Sequence, residues 1–360
     1  MGRGFGRQGA PAAAALHALR SAAGQPCVSV VVATRGPSLA LARLLRSLAR
    51  IDAVVDAEVL IGLNGDGRVA EARRLAERYL DATRTEIASF RSAPPALVRN
   101  EIARSATAPV LLFLDDDVEV PATLLAEARR IAADPRVAIA GGPNLTPPSS
   151  TEFERLSGRV LASPVATGPL RHRFRVEPPR PADERTLGLS NLVVKRALFA
   201  EAQFDASLTG ANENELLLRL GRAHGQVVSS PGLAVYHHRR PTLASYFRQI
   251  VKYGFGRGQL VVRAFSRRQL PYLVPAATLL AFVALASLRP LFAAFAAAAY
   301  VVALTAASWR LAPLRRTPVA VALFAATHVG YAVGVLLGLL YGCAQPFAPR
   351  AAARSRIWRW

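Results

Sequence analysis

Cysteine, methionine and lysine are nearly absent from this chain of 360 residues. Cys27 and Cys343 stand near opposite ends, which excludes a disulfide framework and a cysteine-based zinc site. Lys195 and Lys252 are the only lysines, so 43 of the 45 basic residues are arginine; with the abundance of alanine, this reads as a GC-rich coding bias. Against 24 acidic residues the formal charge is +21. The arginines are scattered and the aromatic residues, at 7%, interleave with them poorly, so this charge is weak evidence for a nucleic-acid partner and none is expected. Residues 1–25 lack a sustained apolar run, because His17 and Arg20 interrupt the best candidate, and they read as a flexible arm rather than a signal peptide. The first six residues also lack the Ser or Thr that myristoylation requires in sixth place.

Charge of either sign is missing from three C-terminal stretches, residues 272–288, 291–308 and 318–342. With 52% hydrophobic residues and a mean hydropathy of +0.24, the chain is too apolar for an ordinary soluble basic protein. At about 1.5 Å per residue, the third stretch is long enough to span a bilayer and the first two are near the minimum. Arg263, Arg267 and Arg268 precede the first, and Arg310, Arg315 and Arg316 separate the second from the third. If the preceding domain is cytoplasmic, both clusters fall inside after two spans joined at Arg289-Pro290. A third full span would put Arg350, Arg354, Arg356 and Arg359 outside, against the same rule, so two spans with a re-entrant run and three spans both stay open. His328, in the third stretch, reads as a neutral packed histidine.

Ahead of these stretches, short apolar segments alternate with helical patterns. Strands are expected over residues 28–33, 58–63, 110–114 and 226–236, and helices over 39–48, 69–80 and from Pro121. Strands apolar on both faces and alternating with helices indicate an α/β fold, with a mostly parallel sheet covered by helices on both sides. Ligands of such sheets bind beyond the carboxyl ends of the strands, where Thr34, Asn64, Asp115, Asp116 and Asp117 fall. Three adjacent carboxylates repel one another and call for a cation. Strand alternation puts Asp115 and Asp117 on one face and Asp116 on the other. Hard oxygen ligands with open positions suit Mg²⁺ or Mn²⁺ bridging a diphosphate. The Asp115-x-Asp117 spacing also fits an aspartyl phosphatase or phosphotransferase, but Glu119 and the position in mid-chain speak against it.

Taken in order, several motifs carry a resemblance. They are Val28-Ser29-Val30-Val31-Val32-Ala33-Thr34-Arg35, Arg99-Asn100, Leu112-Phe113-Leu114-Asp115-Asp116-Asp117, Gly188-Leu189-Ser190-Asn191 with Lys195-Arg196, Phe204-Asp205, Asn212-Glu213-Asn214-Glu215-Leu216 with Arg219, and Val235-Tyr236-His237. Over about 230 residues the chain resembles family 2 glycosyltransferases of the GT-A fold. Tyr246-Phe247-Arg248-Gln249 and Tyr253-Gly254-Phe255-Gly256-Arg257, followed by the apolar stretches, are similar to membrane-anchored exopolysaccharide transferases of the succinoglycan type.

The resemblance implies a nucleotide-diphospho-sugar donor, with a UDP-sugar favoured, and an inverting transfer to a lipid-linked saccharide in exopolysaccharide or cell-envelope glycan synthesis. Asp117 would be the principal ligand of Mg²⁺ or Mn²⁺, joined by His237. Thr34, Arg35, Asn64, Arg99, Asn100, Asp115 and Asp116 would bind the nucleotide-sugar. Where the family usually has a base-reading Asp at the end of the second strand, this chain has Leu63, followed by Asn64, Gly65 and Asp66. Glu213 falls at the family's general-base position, with Glu215 as fallback. Ser190, Asn191, Asn212, Arg248 and Gln249 fall on the acceptor or diphosphate side. Gln249-x-x-Lys252-Tyr253 differs from the processive-synthase motif at both places after the Gln, so processivity is not inferred. The implied organisation is an arm over 1–25, a GT-A domain over 26–240, an amphipathic interfacial segment over 241–270, two to three transmembrane helices over 271–343, and a basic tail over 344–360. Such a protein would sit in a bacterial-type inner membrane, in contact with its lipid, with the catalytic domain cytoplasmic.

Overall fold

The structure, a computed structural model, describes residues 26–65, 68–221 and 224–344, the side chains of Ala53 and Val55 excepted. The arm expected over 1–25, Asp66, and the basic tail beyond residue 344 lie outside the described residues.

The apolar run Val28–Thr34 forms β1, parallel to β2 (Ala57–Asn64) on one side and to β4 (Val110–Asp115) on the other, and β3 (Thr85–Phe90) extends the sheet beyond β2. Helices α1 (Leu39–Leu48), α2 (Val69–Glu77), α3 (Pro95–Ala103) and α4 (Leu124–Ala133) follow β1, β2, β3 and β4 in turn. The sheet has eight strands in the order β3-β2-β1-β4-β9-β6-β10-β8. In it β9 (Asn191–Lys195) runs antiparallel between β4 and β6 (Val137–Gly141), β10 (Gln226–Ser229) is parallel to β6, and the short β8 (Arg180–Pro181) closes the edge. A second sheet joins β5 (Val118–Glu119), β11 (Val235–His237) and β7 (Asn144–Leu145), in that order. Between β7 and β8 lie α5 (Glu152–Leu161) and the single turn α6 (Pro164–Thr167); α7 (Arg196–Ala202) and α8 (Asn212–Leu220) follow β9.

Alternation within the strands divides the core in two. Val30, Val32, Val59, Ile61, Leu112 and Leu114 point to the face covered by α1 and α4. Val31, Leu60, Leu111 and Phe113 point to the other, where Phe113, Phe199 and Phe204 meet with ring centroids 4.9–5.1 Å apart. One carboxylate lies in the body of β2. Glu58 is 4% exposed, and its Oε1 accepts from Ser29 Oγ at 2.6 Å and from Thr107 N at 2.6 Å, so its carboxyl group ties the loop entering β4 to β1. The single strand expected over 226–236 is two. At Ser230, whose Oγ accepts from Gly232 N, the 3-10 turn Pro231–Leu233 carries the chain out of the large sheet and into the small one. The helix expected at Pro121 starts at Leu124 instead, with Thr123 as its N-cap.

After the second sheet, Thr242 and Ser245 form a capping box that opens α9 (Leu243–Arg263). Helices α10 (Leu270–Leu288), α11 (Pro290–Trp309) and α12 (Thr317–Ala344) complete the described chain. The last three are long and apolar enough to cross a membrane, by length and composition. They differ in exposure: the most apolar windows of α10 and α11 are 11% and 17% buried, that of α12 44%. The difference comes from α9, which runs beside α12 with Gly254 and Gly258 facing Gly334 and Gly338. A Cβ at any of the four would run into the other helix's backbone. Three aromatic residues of α9, which falls in the segment expected to lie in the membrane interface, are therefore occupied with α12. The Tyr246 hydroxyl bonds Thr327 Oγ1 at 2.7 Å, the Phe247 ring covers Gly330, and the Phe255 ring lies 5.4 Å from that of Tyr341.

Candidate active site

Thr34, Asn64 and Asp115 end β1, β2 and β4, and the tight turn to β5 brings Asp116 and Asp117 to the same edge. Each of the three carboxylates has a different neighbour. Arg99 Nη2 on α3 donates to Asp115 Oδ1 at 2.9 Å, Thr34 Oγ1 donates to Asp116 Oδ2 at 2.6 Å, and His237 Nε2 on β11 lies 3.0 Å from Asp117 Oδ1. Burial pushes the Asp116 carboxyl above its ordinary range, and the charges of Asp117 and Asp115 push the same way against the Thr34 hydrogen bond. Burial also pushes Asp117 up, but the hydrogen bond and charge of His237, with Arg240 3.7 Å away, outweigh it and hold Asp117 below the usual aspartate range.

One potential ligand atom each from Asp115, Asp117 and His237 falls within 4.8 Å of the others. Two carboxylates and an imidazole make a donor set suited to a divalent cation. His237 is 5% exposed and its Nδ1 has no hydrogen-bond partner, so its ring is not fully spent on the protein. These residues fit Mg²⁺ or Mn²⁺.

A cleft of 590 Å³ is lined by Asp115, Ser190, Asn212 and Glu213, and also by Tyr272 and Pro275 of α10 and Thr327, His328 and Tyr331 of α12. Its polar wall is set by α8. The residue before that helix, Ala211, adopts φ +58°, a left-handed conformation unfavourable for a residue with a Cβ. Gly256 of α9 comes so close here that a Cβ on it would lie 2.9 Å from Gly210 C. Glu213 then enters the cleft, with Oε1 3.7 Å from Arg173 Nη1. Glu215, two residues on, is 1% exposed, lies outside the cleft and pairs with Arg219 at 2.8 Å.

The remaining sequence candidates separate in the same way. Asn64 Nδ2 donates to Ala93 O at 2.6 Å and its Oδ1 accepts from Ala93 N at 2.9 Å. Asn100 makes the same two-way bond to the backbone of Phe204, and Asn191 Nδ2 donates to Leu233 O. These side chains hold loops in place. Ser190 lines the cleft and accepts from Asn144 Nδ2 at 2.8 Å; Asn212 lines it while donating to Asp205 O. Arg35 is exposed beside the strand ends. Arg248 is exposed and Gln249 half-buried on α9; the cleft is lined instead by Ile250, Lys252, Tyr253 and Arg257 of that helix.

Three arginines and a tyrosine of the site were not read from the sequence, and Arg257 was read only as the end of the Tyr253-to-Arg257 motif. Arg239 is buried, donates to Thr146 Oγ1 at 3.1 Å and stacks 5.1 Å from the centroid of Phe174. Arg240 faces Asp117. Both directly follow His237-His238, and that adjacency was the available signal. Arg173 holds the backbone oxygens of Glu184 and Arg185 as well as facing Glu213; burial pushes its pKa down, against the charge of Glu213 and with that of Arg257. Arg257 and Tyr272 stack, with the guanidinium carbon 4.0 Å from the ring centroid. Among so many arginines Arg173 had no local mark.

No protein-family model matches the chain, and no curated protein matches it. Among solved structures it is similar to the mannosyltransferase PcManGT from Pyrobaculum calidifontis, in complex with GDP-Man and Mn²⁺, at 18% identity over 89% of this chain and 97% of that one, with a TM-score of 0.56. It also aligns with TarS from S. aureus, at 13% identity over 89% of this chain and 93% of that one, TM-score 0.45. With GalNAc-T7, in complex with UDP, GalNAc and Mn²⁺, the figures are 17% identity, 68% and 52% coverage, and a TM-score of 0.44. The likeness to PcManGT is one of fold: a mostly parallel, GT-A-like sheet with flanking helices.

Proposed function

We infer that this chain is a membrane-associated glycosyltransferase of family 2 type. It would move a sugar from a nucleotide-diphospho-sugar to a lipid-linked saccharide with inversion at the anomeric carbon. The observation that carries the reading is one cleft lined both by Asp115, at the strand ends, and by residues of the apolar helices α10 and α12. A soluble acceptor needs no such opening, whereas an acceptor held in a bilayer must enter from that side. The GT-A-like fold supports the reaction class, and PcManGT was solved with a nucleotide-sugar and Mn²⁺ at 18% identity.

In this reading Asp115, Asp117 and His237 hold Mg²⁺ or Mn²⁺. A divalent ion there would offset the charge that grows on the leaving diphosphate. Arg99 keeps Asp115 aimed, and Thr34 fixes Asp116 beside them. Glu213 takes the proton of the acceptor hydroxyl as its oxygen bonds to the anomeric carbon and the bond from that carbon to the diphosphate oxygen breaks. Arg173, 3.7 Å away, faces Glu213 and holds it in the cleft. A UDP-sugar donor, a catalytic domain over 26–240 on the cytoplasmic side of a bacterial-type inner membrane, and a role in exopolysaccharide or envelope glycan synthesis belong to the same reading.

The test is a screen of nucleotide-sugars for hydrolysis by the purified full-length chain, with Mn²⁺ and with chelator. Metal-dependent release of one nucleoside diphosphate is expected. Failure of every donor with metal present would overturn the reading, and release of inorganic phosphate alone would favour a phosphatase.

A further inference from the structure

Of the two arginines that line the cleft, Arg173 faces Glu213 and Arg257 faces no carboxylate. It is 4% exposed, and among the described residues no carboxylate lies within ion-pair distance of it. Its Nη1 is buried without a hydrogen bond. One face of the guanidinium rests on the Tyr272 ring, whose hydroxyl is also buried and unbonded. The Tyr331 hydroxyl stands beside the same guanidinium without hydrogen-bond geometry. Arg173, fixed by backbone oxygens, adds a second positive charge nearby. Glu184 is the carboxylate near Tyr272, and it forms no ion pair with Arg257. A buried cation with unspent donors, ringed by further unspent donors, is costly unless an anion completes it. The rigid fork of arginine matches two phosphate oxygens.

We propose that Arg257, with Tyr272, Tyr331 and Arg173, binds the phosphate ester that links the acceptor's saccharide to its lipid. This rests on the reading of the cleft as a glycosyl-transfer site. A phosphate could also come from the donor, but the donor's diphosphate belongs with Asp115 and Asp117 at the strand ends, whereas Tyr272 and Tyr331 stand on α10 and α12, the helices apolar enough to enter a bilayer. Glu213 lines the same cleft and faces Arg173, whose charge is felt by Arg257. A phosphate at Arg257 therefore leaves its attached sugar beside Glu213 and its hydrocarbon chain along α10 and α12. It also limits the acceptor: the saccharide between phosphate and reacting hydroxyl must fit within one cleft of 590 Å³.

The experiment is calorimetry on the full-length chain in dodecyl maltoside micelles, with dodecyl phosphate, dodecanol, and UDP or GDP with Mn²⁺ as probes. Wild type is expected to bind dodecyl phosphate and not dodecanol. Arg257→Gln should weaken dodecyl phosphate about 10- to 100-fold, the worth of charge-assisted hydrogen bonds, and leave the nucleotide arm unchanged. Arg257→Lys and Tyr272→Phe should each weaken it less, and they carry the test if Arg257→Gln does not fold. Unchanged dodecyl phosphate affinity in all variants that fold overturns the proposal, as does equal binding of dodecanol. A loss confined to the nucleotide arm would assign the site to the donor and overturn it too. Failure of wild type to bind any nucleotide would instead sink the transferase reading, while the dodecyl phosphate arm still reports on Arg257.

Discussion

Two glutamates two positions apart on one helix have opposite fates. At about 100° per residue, Glu213 and Glu215 point about 200° apart around α8, so only one can face the cleft. The strained Ala211 start turns that face to Glu213 and buries Glu215 against Arg219. Under the proposed reaction Glu213→Gln should fold normally, bind nucleotide and slow transfer about 10²- to 10⁴-fold. Glu215→Ala leaves Arg219 without its carboxylate and should cost about 3 kcal/mol or more of stability, read as a lowered denaturation midpoint. If Glu213→Gln transfers at the wild-type rate, the general base lies elsewhere. Asp117→Asn keeps the shape of the carboxylate cluster while removing the charge that meets His237. Nucleoside diphosphate affinity should then fall in Mn²⁺ and change little in chelator, by calorimetry; equal affinity in Mn²⁺ would exclude Asp117 as a ligand.

The pairing of α9 with α12 is the structural hinge of the C-terminal half, because α9 is held on both sides. One side meets α12 through Gly254 and Gly258 against Gly334 and Gly338, and the other meets the domain through Gly256 at Gly210 and Gln259 at Thr209. A side chain cannot enter either contact without separating helices. Gly334→Leu should therefore lower the thermal midpoint of the whole chain in detergent and disturb the cleft, since Tyr253 and Arg257 ride on α9. The same substitution at Gly36, where an added Cβ meets nothing within 4 Å, should be nearly neutral in the same melt. Equal midpoints for the two variants would mean that the close approach contributes nothing.

The catalytic half and the apolar helices form one body rather than a domain on a tether. Leu156, Val160 and Leu161 of α5 share a cluster with Tyr246 and Ile250 of α9, Leu304 of α11, and Leu323 and Phe324 of α12. Arg316 pairs with Glu152 at 2.5 Å, and His328 bonds Tyr300 on one side and Val165 O on the other. A chain cut after Arg268 would bare this cluster and the glycine-lined face of α9. It is expected to aggregate, as size-exclusion chromatography would show, rather than remain a soluble donor hydrolase. A monodisperse, metal-dependent hydrolase from that cut would show that the two halves fold independently.

What the sequence determined by itself was much of what local period and strand position govern, although β3 and β6 were not foreseen. Alternating apolar segments gave a mostly parallel sheet, uncharged stretches gave the C-terminal helices, and the ends of β1 and β4 located Thr34 and the three aspartates. Strand β9 was missed because its antiparallel place between β4 and β6 is a long-range choice that five residues cannot announce. Only the tertiary structure decided which polar groups are spent and which are free. Asn64 and Asn100 look like ligands in the sequence but are each held by a two-way bond to the backbones of Ala93 and Phe204. Arg257, one arginine among 43, is marked by the absence of a partner. Hydrogen bonding and burial are properties of pairs and surroundings, so a residue's type and spacing state what it can do, and packing decides whether it is still available to do it.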